Sequence, residues 1–216
     1  MKQQSAPHPA IQVTVDIVVF TVNEHKLKVL LIQRGIPPFK GQYALPGGFV
    51  LANETLDAAA FRELREETGT DNAYLEQLYT FGDPKRDPRG RVVTVAYYAL
   101  VPARKSPLLA GTDAASAGWF FVEALPPLAF DHGGIIDYAV NRLKNKLDYT
   151  NVGFELLPKK FTLSTLQMLH EAILGKSLDK RNFRRKILAM GLLTATKEME
   201  ITGRKPARLY AFRSPK

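Results

Sequence analysis

Residues 48–70, GFVLANETLDAAAFRELREETGT, carry the pattern that determines the architecture. The stretch predicts a helix over 56–68, ended by Gly69, a residue suited to the left-handed C-terminal position. At 100° per residue its inward stripe begins with Leu56, Ala59 and Ala60, but one turn later it holds Glu63 and Glu67, with Glu66 adjacent. Three carboxylates therefore converge where core residues are expected. Like charges three and four apart destabilise a bare helix by ~0.2 to 0.5 kcal/mol per pair, so a cation is expected to offset them. Arg62 and Arg65 point elsewhere on the wheel. The all-oxygen character of Glu63, Glu66 and Glu67 favours Mg²⁺ or Mn²⁺ over zinc. The plainer alternative is a solvated acidic helix end.

Outward from this helix, 13–22 (VTVDIVVFTV) and 27–33 (LKVLLIQ) are rich in β-branched and aliphatic residues and predict paired strands across Asn23 to Lys26. Pro37, Pro38, Gly41 and Pro46-Gly47-Gly48 punctuate a loop before the helix. Strand-like runs return at 74–81, 91–101 and 119–122. Ile135, Ile136, Ala139, Val140, Leu143 and Leu147 then mark one face of a second helix, opened by Asp131. A sheet with two helices in the first 150 residues is consistent with an α+β sandwich. Residues 151–160 (NVGFELLPKK), with weak periodicity and a proline, are expected to form a linker, and 1–10 a flexible N-terminus.

The chain has 216 residues and no cysteine, which excludes a disulfide scaffold, a thiolate zinc site and a cysteine nucleophile. Its first fifteen residues lack the basic and then apolar blocks of a signal peptide, and no apolar run approaches the ~18 residues of a membrane span, so a cytoplasmic protein without membrane contact is expected. The net charge is unevenly placed. Residues 151–216 hold fourteen Lys and Arg against five Asp and Glu, whereas residues 1–150 hold sixteen of each. A neutral body with a basic appendage implies two units with different partners, the second a polyanion; a solubilising basic tail is the bland alternative.

That appendage, 161–216, has a pattern of its own. Thr162 is placed to cap a helix bearing Leu166, Leu169 and Ile173, and Gly175 to end it; a second helix starts about three residues later, at Leu178-Asp179. In 180–190 (KRNFRRKILAM), Phe183, Ile187 and Met190 share one side while Arg181, Asn182 and Arg185 point away. Two short strands, 192–196 and 207–212, flank a Gly203-Arg204-Lys205 tip. A helix, a tight turn, a basic helix and a β-hairpin is the layout of a winged helix-turn-helix, with Lys180, Arg181, Asn182, Arg184, Arg185, Arg204 and Lys205 as its DNA-binding candidates. The same layout also serves protein docking. Useful affinity for a palindromic operator would call for a homodimer.

The 48–70 stretch resembles the Nudix box in seven fixed positions, Gly48, Glu54, Arg62, Glu63, Glu66, Glu67 and Gly69, with Leu64 aliphatic as required. At ~6 to 7% per residue type such a match arises by chance on the order of 10⁻⁶ times over the chain. Thr70 departs from the pattern, standing where the family usually has an aliphatic residue. The resemblance implies an α/β/α sandwich that hydrolyses a nucleoside diphosphate linked to another moiety, with Glu63, Glu66 and Glu67 as metal ligands. It also implies that Glu54 pairs with Arg62, and that Gly47-Gly48 lets backbone approach the bound phosphate.

The flanks GQYALPGGFV, TFGDPKRDPRGRVVTVAYYALVP and LAFDHGGIIDYAVNRLKNKL look like the branch that handles ADP-ribose, with Arg86, Asp87, Arg89 and Arg91 as candidates for phosphate or ribose and Tyr43 or Phe49 for adenine. With LDKRNFRRKIL at 178–188 and GRKPARLYAF at 203–212, the whole chain resembles the Nudix-type transcriptional regulators of NAD metabolism. Some members of that group only sense the nucleotide, and others keep the box. The expectation is an ADP-ribose-responsive regulator of duplex DNA that retains hydrolysis. The alternatives are a pyrophosphatase with an accessory domain, or an RNA-directed hydrolase.

Overall fold

A computed structural model describes residues 10–70, 73–103, 114–147, 152–202 and 205–213. The expectation of a flexible N-terminus falls outside these residues up to residue 9. β1 (Gln12–Asn23) and β2 (Lys26–Arg34) form an antiparallel hairpin whose two-residue turn, Glu24-His25, takes φ of 53° and 58°. Positive φ at both central residues gives the turn a twist that matches the strands.

β1 lies at the centre of a seven-stranded mixed sheet and is buried on both faces, as its continuous apolar run requires. It pairs in parallel with β6 (Val92–Leu100), which pairs antiparallel with β5 (Tyr74–Phe81). Two short strands lie inside the segment read as a loop, β3 (Tyr43–Ala44) on β2 and β4 (Gly47–Phe49) on β1. β7 (Ala114–Phe121) pairs with β2 and starts five residues before the apolar run 119–122, because its Ala, Ser and Gly residues lack the bulk that marks a strand.

One helix covers each face of the sheet. α1 (Leu56–Thr68) packs Ala59, Ala60 and Leu64 on Ile17, Val19 and Tyr97. Thr55 caps it by accepting from the Ala58 amide, and Gly69 ends it at φ 63°. On the other face α2 (His132–Lys146) packs Ile135, Ile136, Ala139 and Leu143 on Val18, Phe20 and Tyr98. Asp131 stands at its N-cap position but makes no cap hydrogen bond, since its carboxylate is taken by Arg86.

The segment read as a linker carries a 3-10 helix, Val152–Leu156; Leu156 is buried and Phe154 lies 5.5 Å from Phe161 and 4.9 Å from Phe212, ring to ring. The C-terminal part consists of β8 (Phe161–Thr162), α3 (Leu163–Leu174), α4 (Lys180–Ala189), β9 (Leu193–Thr202) and β10 (Lys205–Phe212), with the three strands in the order β8-β10-β9. Both hairpin strands run further towards the tip than apolar content alone indicated, because the outer residues pair with each other without a core beneath them. The α2 face of the sheet and this winged helix share one apolar cluster, joined through Leu147, Leu156, Leu163, Leu166 and Leu169. Among the described residues no helix is long and apolar enough to cross a membrane.

Candidate functional site

The site is built where β4, α1 and the turn after β5 meet. Arg62 forks onto Glu54, with Nε 3.1 Å from Oε2 and Nη2 2.7 Å from Oε1, while Glu54 Oε1 also accepts the Leu51 amide. The pair holds the loop before α1 against the helix, and Arg62 keeps the Glu54 carboxyl below its usual range. Arg62 does not point away from the acidic stripe as the helical wheel indicated. Its Nη1 donates to Glu63 Oε1 at 2.6 Å and lies 3.6 Å from Glu66. A wheel gives the direction of Cβ, and a long side chain can turn back over the next turn of the helix.

The three glutamates are not gathered as expected. Glu63 and Glu67 are buried, whereas the Glu66 side chain is 43% exposed, and among the described residues no three acidic or histidine groups stand close enough to hold a metal ion. Glu63 and Glu67, four apart, differ by 40° on the wheel; Glu66 is 100° from Glu67 and swings off the buried stripe. Burial lifts the Glu63 carboxyl above its usual range against the pull of Arg62. The space left by Gly48 belongs to Glu63: a Cβ there would lie 2.2 Å from its Oε1. A Cβ at Gly47 would strike the Val15 carbonyl at 2.2 Å, so the glycine pair lets β4 lie close to both β1 and α1.

Beside this loop is a cleft of about 90 Å³ whose walls include Asp16, Gly48, Phe49, Arg86, Arg89 and His132. Three of the four candidates after β5 line it, Arg86, Asp87 and Arg89, but they are engaged with carboxylates or guanidinium groups of the protein. Arg86 bonds Asp131 and Asp16. Its burial disfavours the charged form, and the two carboxylates outweigh that, so it remains a cation. Asp87 is buried and takes the fork of Arg89, which holds its carboxyl low despite burial. Arg91 instead donates to the Gly82 carbonyl at 2.7 Å, outside the cleft. Tyr43 packs edge-on against Phe120 in the core, whereas Phe49 faces the cleft beneath Arg89.

Four groups of this cleft escaped the sequence reading: Asp16, Arg34, Phe130 and His132. Asp16 had a signal, as the one charged residue within the buried run of β1. His132 is fully enclosed; its Nδ1 accepts the Leu45 amide at 2.9 Å, leaving the proton on Nε2, which lies 3.6 Å from Asp16. Burial lowers its pKa, so the ring is neutral.

The second candidate surface is α4. Asp179 caps it by accepting from the Asn182 amide at 2.8 Å, and Phe183 and Ile187 are buried. Lys180, Arg181, Asn182 and Arg185 are exposed, with Arg185 Nη2 3.0 Å from Asn182 Oδ1. Arg184 is placed differently. It is half-buried, 3.4 Å from Ser164 on α3, because it lies on the flank of the stripe that α3 covers. Arg204 lies outside the described residues, and of Lys205 only the backbone, the first residue of β10, is described.

The NUDIX domain model matches residues 10–139, and the NrtR DNA-binding winged helix domain matches 153–212. The chain is 42% identical over 212 residues to the ADPR responsive transcriptional repressor NtrR of Acinetobacter baylyi, covering 97% of this chain and 85% of that one. It belongs to the NrtR branch of the Nudix family. Shewanella oneidensis NrtR complexed with a 27mer DNA superimposes with a TM-score of 0.82 at 38% identity, covering 93% of both chains. The Nudix part is also 44% identical over 132 residues to the ADP-ribose pyrophosphatase of Methanocaldococcus jannaschii, covering 61% of this chain and 73% of that enzyme. Membership thus extends over both units, from the sandwich to the wing.

Proposed function

We propose that this NrtR-family chain is a DNA-binding transcriptional regulator that responds to ADP-ribose and retains metal-dependent hydrolysis of that ligand. The observation that carries the reading is the presence, in one chain, of an acidic α1 bearing Glu63, Glu66 and Glu67 and an α4 whose exposed face is cationic, the latter in a winged helix that shares the apolar core of the α2 face. The similarity to an ADPR responsive repressor over 97% of the chain supports both halves together. Binding to operators as a homodimer in the cytoplasm completes the reading, since one winged helix contacts one half-site.

The donor set fits a hard divalent cation: Glu63, Glu66 and Glu67 offer only carboxylate oxygens, and burial of Glu63 makes a nearby positive charge favourable. With the exposed Glu66 side chain turned back toward the buried pair, these three residues would hold Mg²⁺ or Mn²⁺, which when bound would supply charge stabilisation for the diphosphate and a more acidic water. Arg62 and Glu54 keep the loop in register with the helix, and Gly48 leaves room for the Glu63 carboxylate. Arg89 is the guanidinium best placed to meet a ligand phosphate, being 37% exposed at the cleft and stacked on Phe49. Arg86, Asp87 and Arg91 serve as supports rather than direct ligand groups.

Gly48→Ala is expected to lower Mn²⁺ affinity by roughly 10- to 100-fold, the range for groups that orient metal ligands. Calorimetric titration checks this; unchanged affinity would mean that Glu63 does not need its present position. The function as a whole is tested by titrating the full chain onto duplexes it selects from a random pool, with and without ADP-ribose. The expected result is specific binding that ADP-ribose weakens. Selection that yields no preferred duplex, or binding indifferent to ADP-ribose, overturns the reading.

A further inference from the structure

Arg86 joins three parts of the molecule and is spent on none of the chemistry of the box. It stands in the turn after β5 with its side chain only 3% exposed. Its Nη2 reaches Asp16 on β1 at 3.2 Å, and its Nε and Nη2 reach the two carboxylate oxygens of Asp131, at the head of α2, at 3.0 and 2.8 Å. We infer that Arg86 is a positioning residue whose ion pair with Asp131 couples occupancy of the cleft to the position of α2, and through it to the winged helix. The inference rests on the reading of the cleft as an ADP-ribose site.

The enclosed part of the cleft, about 90 Å³, is well below the ~300 to 1,000 Å³ of sites that enclose a ligand of this size, so a ligand seated in it presses on its walls. The incoming group is an anion, and three carboxylates, Asp16, Asp87 and Asp131, stand against Arg86 and Arg89 at this end of the cleft. Phosphate charge brought to Arg89 repels these carboxylates and favours the departure of whichever is held least firmly.

Asp131 is the carboxylate free to leave: its side chain is 32% exposed, against 10% for Asp16 and 2% for Asp87. It also has somewhere to go, because it occupies the N-cap of α2 without capping it, and a released carboxylate can accept from the first amides of the helix. Phe130, just before it, is held at φ 54° by contacts with Phe39 and Arg34, a conformation that a β-carbon disfavours. The segment Phe130-Asp131 thus has two arrangements available, one with Arg86 and one with the helix.

α2 carries the difference across the molecule. Its fifteen residues span roughly 22 Å. Directly after its last turn, Leu147 enters the cluster that holds Leu156, Leu163 and Leu166 of the winged helix. Gly153 lies so close there that a Cβ would stand 2.9 Å from Leu147 Cδ2, which leaves little slack between helix and winged domain. Packed elements of this kind shift between discrete positions rather than deform.

The test is Asp131→Asn in the full chain, on a Glu67→Gln background so that ligand is not consumed. Asparagine caps a helix well but offers Arg86 no charge, so the variant pre-forms the ligand-bound arrangement. Relative to the background protein it should bind ADP-ribose more tightly and its selected duplex more weakly. The factor by which ADP-ribose weakens DNA binding, expected at roughly 5- to 150-fold in the background protein, should fall below about twofold. Arg86→Lys, which keeps the charge and loses the fork, should move all three quantities in the same direction by less. A merely structural role would weaken both ligands together, and that result overturns the inference, as does a coupling factor that stays at its background value. Failure of the underlying reading is recognised separately, because the parent protein, with Glu67 intact, would then show no ADP-ribose binding at all.

Discussion

Glu67→Gln is expected to reduce the hydrolysis of ADP-ribose by roughly 10²- to 10³-fold in kcat, the usual cost of losing one electrostatic stabiliser at a reacting diphosphate. Glu67 is buried on the face of α1 that meets the sheet, and glutamine matches its shape, so the fold should survive. Glu66→Gln should lose activity comparably although Glu66 is half-exposed, since the proposed site needs a ligand from each side of the buried stripe. Steady-state rates at saturating Mg²⁺, with thermal melts as control, decide the matter. If both variants turn over ADP-ribose like the parent, the acidic stripe is structural and the site lies elsewhere.

Arg181→Ala and Arg185→Ala should each weaken binding to the selected duplex by roughly 5- to 150-fold, the equivalent of ~1 to 3 kcal/mol for a bidentate base contact. Both side chains lie on the exposed face of α4, opposite Phe183 and Ile187, so neither change opens the core. The discriminating measurement is binding to matched and scrambled duplexes over a range of salt. Loss of preference for the matched sequence marks base readout; a uniform loss with a reduced salt slope marks phosphate contacts only. Equal effects on both duplexes would remove α4 as the reading element. Arg184→Ala belongs to another class, because its side chain lies against Ser164 of α3 rather than in the open.

The ends of α1, α3 and α4 are legible in the sequence because each is written by local chemistry. Thr55 and Gly69 bound α1, Thr162 and Gly175 bound α3, and Asp179 opens α4, all through hydrogen bonds spanning at most four residues. The acidic box, the two-faced α4 and the charge split between the two units are likewise readable without coordinates, since they depend on residue identity and period alone. The short strands β3, β4 and β8 are not, because two or three residues carry no period and exist only where a neighbouring strand supplies partners.

What only the tertiary structure decided is which charges meet. Asp16, Arg86 and Asp131 are separated by 70 and 45 residues in the chain, and nothing local relates them. They come together because parallel pairing of β1 with β6 brings the turn after β5 beside β1, while α2 crosses the opposite face with its head at the same edge. The long side chain of Arg62 shows the same limit at short range: Glu63 and Glu66 come with it on α1, yet its fork onto Glu54 is set by where the preceding loop folds. Local periodicity therefore specifies the elements and the box. Long-range packing in a low-dielectric interior selects the ion pairs, because a buried charge persists only where the fold delivers its counter-charge.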